Sequence, residues 1–314
     1  MGRPYDILGV GDADIDLMVA VKNFPEAGQK SSGRIIGSFP GGMVANFLSA
    51  AAKFGGKCLG VLCVGDDAFG QKTLADLSVR GIDVSSSVIR PGESTYFTTT
   101  CLAPDGEKRM ILCFGGAIYP APDEVPDQAL ASARYVQMTG SHTKLTIPVA
   151  ARAKKLGTKV SFDLERLQSP MDEETKAQLL SLSDIVFPNE EGLHSYTGCD
   201  SVEEGARKLL KMGPEIVVVT KGADGAEVFT DGFHCSVPAF QVEVADTTGA
   251  GDTFNGVFLA SLCKGYPLDS CLLLASAAAA IQITAVGART MLPTEEEVWG
   301  FLRERGLSPS AANK

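Results

Sequence analysis

The residues best suited to chemistry fall in one short stretch, Asp246-Thr247-Thr248-Gly249-Ala250-Gly251-Asp252, which runs into the apolar segment Thr253 to Leu262. Its two glycines let backbone N–H groups converge at the start of a helix, where unpaired amides and the positive end of the dipole favour an anion. A carboxylate in that cluster, Asp252, is oddly placed unless it has a chemical role. A base beside an anion hole suits phosphoryl transfer to a hydroxyl. Gly249, Ala250 and Gly251 would donate to the γ-phosphate, and Asp252 would take the proton of the attacking alcohol. An ordinary aspartate, with a pKa of about 3.9, is a weak base for an alcohol. In a loose transition state the proton leaves late, so orientation matters more than basicity. The structural alternative is a plain turn that starts a helix, with Asp246 or Asp252 as its cap.

Recognition of a substrate with several hydroxyls calls for acceptors and amides facing them, because an unpaired polar group in a closed site is costly. Asp14 and Asp16 follow the first strand and can each accept two hydroxyls, and Asn46 offers both a donor and an acceptor. On spacing alone both aspartates also read as a solvated loop. Gly41 and Gly42 would let the backbone approach a substrate closely, or simply turn the chain before a helix.

Two motifs, taken together, resemble a known family. The stretch Asp246–Asp252 resembles the C-terminal signature of the ribokinase-like, or PfkB, carbohydrate and nucleoside kinases. The stretch Gly41-Gly42-Met43-Val44-Ala45-Asn46, leading to Ala50–Gly56, resembles the N-terminal signature of that family, in the required order. The resemblance spans essentially the whole chain. It implies Asp252 as base, the Gly249–Gly251 amides as anion hole, and Asp16 as a sugar ligand, with Asp14 where members often carry Asn. It further implies ATP and Mg²⁺, with Asn189, Thr220, Lys221, Gly222, Asp224, Gly225 and Ser276 on the nucleotide side. The family motif Asn-x-x-Glu departs here, because position 192 is Gly. Either Glu190 or Glu191 then substitutes, or Mg²⁺ is held chiefly through phosphates and water. Several ribokinase-like enzymes bind a monovalent cation such as K⁺. The matching positions are Asp246, Thr248 and the carbonyls around Gln282, Ala285 and Gly287, with Met291 where a serine ligand stands in such relatives.

The resemblance leads to a kinase acting on a primary hydroxyl of a small sugar, first a neutral pentose or ketohexose. The alternatives are a 2-keto-3-deoxy acid sugar, a sugar phosphate or a nucleoside. An acidic substrate would need a cation, for which Lys30, Arg34, Arg109 and Arg166 are available, and a nucleoside would favour an aromatic platform such as Phe97 or Phe39. A non-catalytic sugar-binding relative is the rival from another class, disfavoured by the intact Asp252 and glycines.

Other nucleotide motifs are missing. Gly9-Val10-Gly11-Asp12-Ala13-Asp14 fails as a dinucleotide fingerprint because Asp14 stands at the third glycine position. No GxxxxGK[ST] loop or protein-kinase HRD and DFG pair occurs. A net charge of −10 argues against a nucleic-acid or acidic-membrane surface. The eight cysteines show no metal spacing, nor do His142, His194 and His234. No signal-peptide core or membrane-length apolar run is visible, so the cytoplasm is the expected location.

These residues need a scaffold, and 314 residues of which 45% are hydrophobic can build a large core. Apolar runs at Ile7–Gly11, Cys58–Val64, Tyr135–Thr139, Lys159–Asp163, Ile185–Pro188 and Ile216–Thr220 read as strands. Amphipathic segments at Phe47–Phe54, Phe69–Arg80, Ile147–Lys155, Thr175–Ser181 and Val202–Met212 read as the helices between them. The pattern predicts a three-layer α/β fold, a mostly parallel sheet with helices on both faces. Residues 17–40 and 87–114 alternate instead and predict a small β lid inserted in a catalytic domain of residues 1–16, 41–86 and 115–314. Pro104-Asp105-Gly106-Glu107 is its expected hairpin turn. A lid would keep water from the γ-phosphate, and its exposed edge could pair with a second copy to form a homodimer. The tail after Gly306 is expected to be disordered.

Overall fold

The computed structural model describes residues 2–104 and 107–312. The chain opens with β1 (Tyr5–Gly11), β2 (Asp14–Val21) and β3 (Gly33–Gly41), then α1 (Met43–Lys53), β4 (Cys58–Gly65), α2 (Ala68–Val79) and β5 (Val88–Arg90). Next come β6 (Phe97–Leu102), β7 (Lys108–Cys113), α3 (Asp127–Ser132), β8 (Ala133–Thr139), α4 (Thr143–Lys155), β9 (Lys159–Leu164) and α5 (Glu173–Ser181). The C-terminal part holds β10 (Ile185–Pro188), α6 (Glu190–Thr197), α7 (Val202–Met212), β11 (Ile216–Thr220), β12 (Ala226–Phe229), β13 (His234–Val237), α8 (Ala250–Cys263), α9 (Leu268–Gln282) and α10 (Glu295–Arg303).

Nine strands form one sheet in the order β13-β12-β11-β10-β9-β8-β1-β4-β5, parallel from β5 to β11 and antiparallel at β12 and β13. Alternate side chains of each strand feed two separate cores. Ile7, Ile185, Phe187 and Val218 pack with α1, α8 and α9 on one face. Leu8, Val10, Val186, Val217 and Val219 pack with α3 to α7 on the other. Burial on both faces explains why these strands are apolar at nearly every position instead of alternating. Among the described residues no helix is long and apolar enough to cross a membrane.

A second sheet, ordered β3-β2-β6-β7, has β2 and β6 parallel and its outer pairs antiparallel. It begins at Asp14, only Asp12 and Ala13 separating β1 of the large sheet from β2 of the small one. The junction between sheets is therefore where the acidic residues cluster. Asp105 and Gly106 of the expected hairpin turn lie outside the described residues, although β6 and β7 on either side pair antiparallel.

Two local expectations need correction, and one element went unread. Val88–Arg90, placed by its sequence in the lid, pairs with β4 in the large sheet. The hairpin β12-β13 at the sheet's end, two strands of four residues each, carries too short a pattern to be read from sequence. The tail past Gly306 is held as far as Ser310: Leu307 N donates to Leu302 O at 3.0 Å, Ser310 N to Ser270 Oγ at 2.9 Å, and Pro309 is buried.

Candidate active site

The start of α8 places Asp252 and the surrounding amides at one point. Gly249 precedes the helix with φ 77°, and a Cβ there would lie 2.6 Å from that of Ala288, so both conformation and space demand glycine. The three expected amide donors are not equivalent. Ala250 N already donates to Thr247 O at 3.2 Å, whereas the amides of Gly249, Gly251 and Asp252 find no acceptor among the described residues. The free donors are thus Gly249, Gly251 and Asp252 itself, with Ala250 committed to the turn. Gly251 is exposed and faces open space.

Asp252, in the first turn of α8, accepts from Asn46 Nδ2 at 2.9 Å through Oδ2. Asn46 is oriented in turn by a residue that the sequence did not single out. Arg289 Nε donates to Asn46 Oδ1 at 2.7 Å, and because a guanidinium only donates, the amide NH₂ must face Asp252. Arg289 is 5% exposed; it also donates through Nη1 to Asp76 Oδ2 at 2.9 Å and through Nη2 to Gly41 O. Burial pushes the Asp252 carboxyl up to about 8, the charges of Glu165 and Asp12 adding to the effect while Asn46 and Arg289 oppose it. A carboxyl so raised is a stronger base than an exposed one.

Four more carboxylates face this point. Asp12, 6% exposed, accepts from Met43 N at 3.0 Å and Val44 N at 3.2 Å, capping α1. Asp14 is 4% exposed and its Oδ1 has no hydrogen-bond partner; burial first, then Asp16 and Asp12, push its carboxyl up to about 9. Asp16 accepts from Thr98 Oγ1 and is also raised by burial, against the effect of that hydroxyl. Asp163, at the end of β9, accepts from Asn255 Nδ2 at 2.8 Å and is raised by burial, then by Glu165 and Asp252. These groups gather at the carboxyl ends of β1 and β9, where an open α/β sheet offers its crevice.

Gly41 is explained by this crowding. It sits opposite Asp14 in the β2–β3 register, and a Cβ there would overlap Asp14 Oδ1 and Asp16 Oδ2. Gly42, with φ 91°, would press a Cβ to 2.7 Å from Ala13 Cα. The close approach these glycines permit is to the chain's own carboxylates and backbone. Tyr96 stacks on Phe114 with centroids 5.3 Å apart, and Tyr119 on His142 at 4.2 Å. Both tyrosine hydroxyls are raised mainly by burial, with the charges of Asp12 and Asp14 contributing.

The nucleotide-side candidates lie along β10, β11 and α9. Asn189 caps α6, accepting from Gly192 N at 2.7 Å, and bridges to Thr220 at the end of β11. A Cβ on Gly192 would overlap Leu164 O, which is why no glutamate stands there. Glu190 and Glu191 are exposed, and Arg166 Nη1 reaches Glu191 Oε2 at 3.8 Å. Lys221 is tied to its own sheet by Glu227 Oε1 at 2.7 Å, and Gly222, Asp224 and Gly225 form the turn behind it. Ser276 Oγ on α9 is buried without a partner. A cavity of about 420 Å³ beside α6, lined by Arg166, Glu190, Glu191 and His194 among others, shares no residue with the carboxylate crevice.

The implied cation positions also come together. Asp246, 4% exposed, accepts from Thr248 N at 3.1 Å, Thr248 Oγ1 at 2.7 Å and Gly287 N at 3.0 Å. The Gln282 side chain is fully buried, and its Nε2 donates to Thr248 O at 2.9 Å and Gly287 O at 3.3 Å. Ala285 is half-buried in the loop that follows, and Met291 is 45% exposed.

Sequence and fold comparisons converge. The model of the pfkB family carbohydrate kinases matches residues 6–295. The chain is 31% identical over 301 residues to a ribokinase of Haemophilus influenzae, covering 93% of this chain and 97% of that protein. It is 28% identical over 312 residues to a nucleoside kinase of Methanothermobacter thermautotrophicus, covering 98% and 99%. Its fold superposes on that of Arabidopsis thaliana ribokinase complexed with ribose and ATP, with a TM-score of 0.84, 26% identity and coverage of 96% and 99%.

Proposed function

Given that this chain belongs to the pfkB family of carbohydrate kinases, and is an ATP-dependent kinase, we propose that it phosphorylates a primary hydroxyl of a small neutral sugar, a pentose or ketohexose. The observation that carries this reading is Asp252, held by Asn46 beside the unengaged amides of Gly249 and Gly251. Asp252 accepts the proton of the attacking hydroxyl while those amides and that of residue 252 face the charge on the transferring phosphoryl group. Asp14, Asp16 and Asn46 bind the other hydroxyls of the sugar. The orphaned Oδ1 of Asp14 is a buried acceptor for one of them.

The charge of the crevice supports a neutral substrate over an acid sugar or sugar phosphate. Arg289, the guanidinium nearest the carboxylates, is committed to Asp76, Asn46 and Gly41. Arg166 lies against Glu191, Arg109 is held by Glu107 at 3.0 Å and over the Phe24 ring, and Lys30 and Arg34 are exposed. A nucleoside is the second reading, favoured by the Tyr96 and Tyr119 rings beside Asp12 and Asp14.

ATP is assigned to Asn189, the Thr220–Gly225 turn and Ser276. Mg²⁺, which supplies charge neutralisation on the phosphates, is held chiefly through those phosphates and water, since Leu164 O leaves no room for a side chain at Gly192. The small sheet acts as lid over the sugar. Its Ile35, Met110, Ile111 and Leu112, between 49% and 68% exposed and drawn from both faces of the lid edge, suit a homodimer through the lid.

The test is ADP release with Mg·ATP against ribose, fructose, 2-keto-3-deoxygluconate, ribose 5-phosphate and adenosine. The neutral sugars should give the highest kcat/KM. A highest value for an anionic sugar would reject the substrate class, and no release above the rate with water would reject the catalytic assignment.

A further inference from the structure

We propose that the side chain of Gln282 replaces the monovalent cation, so that this enzyme keeps its anion hole assembled without K⁺. The inference rests on the kinase reading above, and it concerns how the chain holds the start of α8. Thr248 O and Gly287 O converge on the fully buried Gln282 side chain, next to the Asp246 carboxylate. Carbonyl dipoles facing each other away from water require either a cation or N–H donors between them. A primary amide carries two N–H groups, and Gln282 Nε2 sends one to each carbonyl, at 2.9 and 3.3 Å.

A cation does not fit the same place. Its neighbours would be the two N–H groups of Gln282, whose partial positive charge opposes it. The nearby acidic group already receives Thr248 N, Thr248 Oγ1 and Gly287 N on its two oxygens. Position 291 supplies a thioether, a poor ligand for a hard cation. Turning the amide over would set Oε1 against two carbonyl oxygens, which without a cation is repulsive. The orientation with the NH₂ group inward satisfies both carbonyls, at the cost of leaving Gln282 Oε1 buried without a partner.

The consequence for the reaction is positional. Gln282 ties the carbonyl just before Gly249 to the loop at Gly287, and two residues on, Arg289 of that loop orients Asn46 against Asp252. One loop therefore registers both the amide donors and the base. Gln282 acts as a positioning residue within the chain, permanently in place where a dissociable ion would come and go.

Thermal unfolding of the full chain in K⁺, Rb⁺, Tl⁺ or N-methylglucamine chloride at one ionic strength tests this with the metal alone. ADP release with Mg·ATP and the sugar panel is followed in the same salts. For the wild type we expect the Tm to stay within about 1 °C across salts and the rate within about twofold. In Gln282→Ala the carbonyls lose their donors and gain a cavity, and in Gln282→Glu they face a carboxylate. We expect the rate of either variant to fall at least about tenfold in N-methylglucamine and to recover in K⁺, with a rise in Tm. Activation or stabilisation of the wild type by K⁺ beyond those limits would overturn the proposal. So would variants that keep wild-type rates in every salt. If the variants do not fold, the wild-type salt series decides alone. Absence of ADP release by the wild type in all salts would count against the kinase reading only, because its Tm series still decides whether a cation binds.

Discussion

The two halves of the crevice are built on opposite physical plans. On the side proposed for the sugar, Asp12, Asp14, Asp16, Asp163 and Asp252 crowd together largely out of water, and their mutual repulsion and burial are offset by the committed guanidinium of Arg289. On the nucleotide side, the Asn189 cap, the Thr220–Gly225 turn and the exposed Glu190 and Glu191 present mostly backbone and surface groups. Buried charge fixes geometry at a cost in stability, and suits a small substrate that must be oriented to within a fraction of an ångström. A long, charged substrate with its own metal ion needs less from the protein, so its side can be built from loops.

Substitutions should separate the two plans. The largest effect is expected for Asp252→Asn, which removes the base and leaves the amides: kcat should fall by about 10³-fold or more while ATP binding measured by calorimetry changes little. In the free wild-type enzyme, kcat/KM should rise with pH through about 8 and level above it, because Asp252 acts only when deprotonated and its carboxyl is held up to about 8. A profile already flat from pH 6 would remove Asp252 from the role.

Next comes Arg289→Met, which strips Asn46 Oδ1 of its donor and leaves Asp76 with Arg80 alone. Breaking a buried pair of this kind costs about 3–5 kcal/mol, so denaturant melts should show a large loss of stability and kcat should drop with KM for ATP nearly unchanged. Asp14→Asn should be smaller and opposite in sign for stability. The folded-state carboxyl of Asp14 lies at about 9, far above its unfolded value, so its contribution is intact in acid and lost as pH rises toward 9. The amide removes that loss, and the Tm at pH 8 should rise by about 2 °C or more while sugar KM worsens. Lys221→Ala should do least: with its side chain held by Glu227, KM for ATP should move by less than about threefold. A tenfold loss would mean that Lys221 leaves Glu227 to reach phosphate, and would narrow the contrast between the two sides.

What was legible in the sequence was local. The stretch from Asp246 to Asp252 announced a helix start with a carboxylate in it, and six apolar runs marked six of the nine strands of the large sheet because burial on both faces leaves few polar residues in them. The chain from Asp76 through Arg289 and Asn46 to Asp252 was not legible, since its members come from α2, the loop after α9, α1 and α8. A lone arginine after an alanine-rich apolar helix was the only signal, since arginine seldom enters a core unpaired. Asp12 was not singled out by the sequence, and its cap on α1 is visible only in the fold. Gln282 was noticed for its carbonyl, yet the side chain is what meets the neighbouring oxygens.

The central claim is that Asp252 and the amides beside it share one pocket with the reacting hydroxyl and the terminal phosphate. A crystal structure with the preferred sugar and a non-hydrolysable ATP analogue tests it directly. We expect a carboxylate oxygen of Asp252 at about 3 Å from the primary hydroxyl, with the Gly249 and Gly251 amides on the γ-phosphate. A hydroxyl bound away from Asp252, or a γ-phosphate that leaves both amides to solvent, would contradict it.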